Sequence, residues 1–154
     1  MLLAALTAPL ATAALLLCLA GIAKLRSRAD ARWLLVAAVE IGVAGWCLIA
    51  PGRLAMVALV CTYAALAVAS LVLSRRGVQC GCFGADQTPA SRFQSVLSAA
   101  FALVALAGVV TPPHGLEWVA HQPLALLLGI ASGAYAARLA YTELPRAWGA
   151  WGSE

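Results

Sequence analysis

The sequence predicts an all-α fold, a polytopic transmembrane helical bundle of about five spans. Three observations point there. The 154 residues are 64% hydrophobic and only 10% charged, with a mean hydropathy of +0.93, whereas a soluble domain carries about 25% charged and about 45–50% apolar residues. The apolar residues form runs long enough to cross a hydrocarbon layer, which needs about 20 of them. The basic residues gather at the ends of those runs, as orientation signals do. The pI near 9.0 therefore does not imply nucleic-acid binding, and the partner that composition predicts is the lipid bilayer.

The first span runs from Leu2 to Ala23. It lacks the basic start of a secretory signal, and its apolar run is longer than a signal's. Leu17 before Cys18 also argues against a lipoprotein cleavage site, so the segment is expected to stay as a span. The second runs from Trp33 to Ala50 and the third from Leu54 to Leu73, with Pro51-Gly52 as a tight hairpin between them. The fourth, Phe93 to Thr111, stops at Pro112-Pro113, because proline lacks the amide donor and clashes with the preceding turn. The fifth runs from Gln122 to Tyr141, with Pro123 placed in its first turn, where proline is tolerated. Residues 1–154 are thus expected to form one integral membrane domain. Each span is expected to be helical because its backbone polar groups have no water to bond.

Charge sets the orientation. Lys24, Arg26, Arg28, Arg32, Arg75, Arg76, Arg92, Arg138 and Arg146 fall on one side, leaving only Arg53 of the ten Lys and Arg on the other. The positive-inside rule makes the richer side cytoplasmic. The N-terminus is then outside and the C-terminus inside a cell (plasma or inner) membrane. Trp33, Trp46 and Trp118 fall near span ends, as interfacial aromatics do. Ala125, Gly129, Gly133 and Ala137 repeat every four residues on the last span, and Ala38 and Gly42 on the second. Such stripes allow close helix approach, read here as a packing seam within the subunit or, alternatively, an interface between subunits.

Two features carry chemistry. The loop RRGVQCGCFGADQ, residues 75–87, places Cys80 and Cys82 two apart, with Gly81 allowing the bend that a small disulfide ring needs. Such a ring is strained and readily reduced, which suits exchange rather than stapling. Arg75 and Arg76 would favour the thiolate if they fold close to the sulfurs, and a cytoplasmic dithiol would be held reduced. Phe83 offers an apolar contact to the bilayer edge or a partner. The duller reading is two neighbouring cysteines with no joint role. A soft cation would accept two thiolates, but a structural zinc site needs four ligands, and His114 and His121 lie on the opposite side. No metal site or cofactor is therefore predicted. Cys18, Cys47 and Cys61, inside the first three spans, are expected to be buried packing residues.

Glu40 is the only acid within a span, about 12 Å deep at about 1.5 Å per residue. Ionised there it costs about 2.5–3.5 kcal/mol, so it is expected to be protonated or paired inside the bundle. Lys24 and Arg138 are the candidate partners. Its roles are proton exchange during thiol chemistry or lining a polar cavity, against a purely structural pair.

GIAKLR (21–26), the acid in VEIGVAG (39–45) and CGCFG (80–84) together resemble the MauE family of methylamine utilisation membrane proteins, whose bundle is similar to DoxX-like proteins. The resemblance covers residues 20 to about 95, and CGCFG is its most specific part. Relatives often carry an Arg-Asn pair where this chain reads SVLSAA (95–100). The resemblance implies a role in maturing an exported, disulfide-rich protein, the small subunit of methylamine dehydrogenase, beside a thioredoxin-like (MauD-like) partner. It makes Cys80 and Cys82 a redox pair, with Lys24 and Glu40 as supporting polar groups. The implied client lies outside the cytoplasm, whereas the charge count puts the cysteines inside. Two other classes stay open: a small soft-metal or solute transporter using the Cys-x-Cys loop, and a structural subunit of a membrane complex.

Overall fold

The computed structural model describes residues 2–26, 31–77, 91–111, 113–115, 119 and 121–151. Among the described residues there are five long helices and no strand: α1 (Leu2–Arg26), α2 (Ala31–Ile49), α3 (Arg53–Arg76), α4 (Arg92–Val110) and α5 (Leu124–Trp151). All five are long and apolar enough to cross a membrane. Arg28, Cys80, Cys82, Phe83, Pro112 and Trp118 lie outside the described residues.

Local chemistry marks the ends. Lys24 and Arg26 close α1 and Arg75 and Arg76 close α3, where positive charge meets the negative end of the helix dipole. Gly77 ends α3 in the left-handed conformation, φ 64°, and its N–H bonds the carbonyls of Leu73 and Ser74, a geometry that side chains resist. A reciprocal capping box starts α4: Ser91 Oγ accepts from the Gln94 N–H, and Gln94 Oε1 accepts from the Ser91 N–H, satisfying two orphan donors at once. Pro123 precedes α5 rather than entering its first turn, and its carbonyl accepts from the Leu126 N–H at 2.8 Å. α5 continues to Trp151, past the expected end at Tyr141. Its 28 residues span about 42 Å, more than the roughly 30 Å hydrocarbon layer requires.

α1 is the central helix, packed against α2, α4 and α5, while α3 runs along α4. Buried Leu10, Ala13, Ala14 and Leu17 of α1 meet Ala44 and Cys47 of α2, Ala55, Met56 and Leu59 of α3 and Ala105 of α4. Most of these side chains are small. Lipid tails are as apolar as leucine, so helices gain from close van der Waals fit and interhelical hydrogen bonds rather than from hiding apolar area. The reverse face confirms the solvent. Ile49 (77% exposed), Leu54 (74%) and Val110 (75%) stand on the outer surface, an apolar coat that a water-soluble monomer would not present on this scale. The chain is a multi-pass membrane protein.

The small-residue stripes divide. A side chain at Gly133 would come within 3.3 Å of Thr12 on α1, so this glycine does sit in an internal seam. Ala125 and Gly129 face outward, as do Ala38 and Gly42. The reason is geometric: a four-residue step advances 400° around a 3.6-residue helix, so a long stripe drifts off the contact line.

Candidate functional site

Glu40 sits nine residues beyond the start of α2, and Lys24 two residues before the end of α1. The two helices run in opposite directions, and each Cα–Cβ bond tilts toward its own N-terminus. Lys24 therefore leans into the bundle and Glu40 leans back toward the basic end, so the two side chains converge. Their closeness depends on Gly21, one turn before Lys24. A Cβ there would lie 2.7 Å from Ile41 Cγ1 and 3.0 Å from the Ala37 carbonyl oxygen, so only glycine lets α1 and α2 approach this far.

The result is a two-pronged ion pair. Lys24 Nζ donates to Glu40 Oε1 at 2.7 Å and to Oε2 at 2.6 Å, and the side chains are 2% and 1% exposed. A lysine near a helix end ordinarily snorkels its ammonium to the interface; this one is turned inward. Arg138, the other expected partner, is exposed. Its side chain leaves α5 on the outer face, whereas α1 is the helix that lies against α2.

A second polar layer adjoins the pair. Ser98 Oγ and Tyr141 Oη share a hydrogen bond of 2.8 Å, and Gln94 Nε2 donates to the Tyr141 carbonyl at 2.9 Å. Tyr63 Oη donates to the Ala13 carbonyl at 2.7 Å, tying α3 to α1. A void of about 20 Å³ is bounded by Glu40, Tyr63, Ser98 and Tyr141 with Leu16, Leu17, Ala20 and Leu66, space on the scale of one water. Sequence reasoning missed Gln94, Ser98 and Tyr141. The available signal was polar side chains one turn apart on a span, Gln94 and Ser98, where helix neighbours recur at four residues.

On its other side Glu40 meets a much larger space. A cleft of about 480 Å³ opens between α2 and α3, with Lys24 and Glu40 on its inner wall and Trp33, Leu35, Val36, Val39, Cys61, Thr62, Ala65, Leu66, Ala69, Ser70 and Leu73 around it. The same helices are held together at the hairpin, where Cys47 Sγ donates to the Ala55 carbonyl at 3.3 Å, and they part toward the basic end. Thr62 and Ser70 add no free donor to the wall, since their hydroxyls donate to the Ala58 and Leu66 carbonyls of their own helix.

Cys47 is buried as expected and Cys18 is partly buried, but Cys61 is exposed and lines the cleft. The expectation of burial fails there because the divergence of α2 from α3 leaves that face of α3 uncovered. All three are free thiols. Cys80 and Cys82, the expected redox pair, lie outside the described residues; the two described members of the expected site, Lys24 and Glu40, are brought together. Among the described residues no group of three or more His, Cys, Asp or Glu side chains gathers to hold a metal ion. No family model, curated protein or solved structure matches the chain.

Proposed function

We propose that this membrane protein assists thiol–disulfide chemistry in the maturation of an exported protein, as its resemblance to the MauE family implies. Cys80 and Cys82 are the exchanging pair, and Lys24 and Glu40 are its supporting intramembrane polar centre. The reaction is dithiol–disulfide exchange. The Cys80/Cys82 thiols reduce a disulfide in a thioredoxin-like partner or client and become a disulfide themselves, with two electrons and two protons leaving the pair; exchange with a second, reduced cytoplasmic dithiol protein returns both and leaves that protein as the disulfide. The membrane is the cell membrane, with the N-terminus outside and the C-terminus cytoplasmic.

The observation that carries this reading is the Lys24–Glu40 pair. Two residues singled out together with CGCFG, sixteen positions apart in the chain, meet in a bonded and buried contact. Intramembrane ionisable groups of this kind mark functional sites.

The test keeps Cys80 and Cys82 as the only cysteines, replacing Cys18, Cys47 and Cys61 by serine. Cells are treated with a membrane-impermeant maleimide, with and without prior reductant. Labelling that requires permeabilisation supports the cytoplasmic loop, and labelling of intact cells reverses the topology. The redox state of co-expressed exported disulfide proteins is read in parallel by alkylation mass shift. A Cys80→Ser/Cys82→Ser chain that leaves every such protein unchanged removes the thiol role.

A further inference from the structure

We infer that the cleft between α2 and α3 is a binding site for a neutral, lipid-soluble molecule whose hydroxyl group donates a hydrogen bond to Glu40. The volume, about 480 Å³, falls within the range of about 300–1,000 Å³ typical of small-molecule sites. Its walls follow the usual plan of such sites, apolar nearly throughout with a few convergent polar groups. Trp33 and Leu35 stand exposed at its margin, so the cleft opens on the outer, lipid-facing surface and its ligand enters sideways from the bilayer.

The head group follows from the charges. Lys24 and Glu40 already pair with each other, so a charged head would bring a further charge into an apolar space, which is strongly disfavoured without a partner. A neutral head does not. Each carboxylate oxygen offers about two lone-pair sites, and the Lys24 ammonium takes one on each. The complementary ligand group is therefore a donor. With the Thr62 and Ser70 protons committed to their own helix, a hydroxyl aimed at Glu40 is the orientation that the wall selects. A plain hydrocarbon tail would fill the space without making this bond. The inference is drawn from described residues of α1, α2 and α3 alone, and its test reads no property of Cys80 or Cys82.

The experiment uses the full chain in phospholipid nanodiscs and two photoreactive probes, a diazirine-bearing hexadecanol and the matching diazirine hexadecane. The alcohol is expected to label α2 and α3 residues around the cleft saturably, above the alkane by about tenfold, the ratio that one hydrogen bond to a charged acceptor supplies. Ala65→Phe, which fills the cleft from an exposed position without touching the ion pair, is expected to abolish that difference while the thermal midpoint stays put. Unlabelled hexadecanol should compete, and hexadecanoate and hexadecylammonium should not. Equal labelling by the two probes would reduce the cleft to a place where lipid tails rest. Labelling indifferent to Ala65→Phe, or better competition by a charged head, would also overturn the assignment.

Discussion

At the hairpin end of the bundle, α2 and α3 are stitched together by Cys47 and the Ala55 carbonyl, and Met56 and Leu59 lie buried against α1 and α4. At the basic end the same two helices stand apart around a cleft of about 480 Å³. There the interior holds Lys24, Glu40, Gln94, Ser98 and Tyr141 in place of alkyl groups. One half of the protein is held by shape, the other by paired polar groups beside open space. In a bilayer these are the two available means of holding helices together, since burial of apolar area yields little against lipid. Among the described residues, the buried ion pair and the Gln94–Ser98–Tyr141 layer share the half in which Arg26, Arg75 and Arg76 close their helices.

The contrast can be broken most severely at the ion pair. Lys24→Met leaves the Glu40 carboxyl buried without its partner and is expected to cost about 3–5 kcal/mol of stability. Lys24→Met combined with Glu40→Leu should recover most of that loss, because no unpaired charge remains. Reversible unfolding in mixed micelles, run as a double-mutant cycle, measures the coupling. A double variant as unstable as the worse single would mean that the pair is not the unit holding this half.

Leu59→Ala tests the other half. It leaves a hole among fully buried side chains and should cost about 2 kcal/mol or more, read as a lowered unfolding midpoint in the same assay. The prediction fails if the loss is no larger than for Leu35→Ala on the exposed wall of the cleft. Gly21→Val sits between the two regimes. Its side chain would run into Ile41 and the Ala37 carbonyl, and overpacking of this kind costs about 1–3 kcal/mol. A cysteine pair placed across α1 and α2 should then crosslink more slowly, because the helices must separate. The smallest effect is expected from Ala69→Leu in the cleft, within about 0.5 kcal/mol, since its side chain enters open space. A large destabilisation there would show that the cleft closes in the membrane.

Much of the architecture was legible in the linear sequence. Runs of apolar residues, the Pro51-Gly52 break and the clustering of basic residues located five helices, and the ends shifted by only a few residues except at α5. Glu40 was equally legible, because an acid inside an apolar run has few stable options. Its partner was narrowed to Lys24 or Arg138, and position near the basic end could not separate them. Only helix adjacency does so: Gly21 brings α1 against α2, and Arg138 points away. The polar layer of Gln94, Ser98 and Tyr141 was harder to see, since serine and tyrosine in a span carry no charge to draw notice.

What the sequence by itself determined is the solvent of each segment, because transfer between water and hydrocarbon depends on local composition and length. Which side chains meet was decided by the tertiary structure alone. The exposure of Cys61 and the opening of the cleft beside Glu40 both depend on how far two helices diverge. That divergence is set by contacts between residues distant in the chain, and no local pattern encodes it.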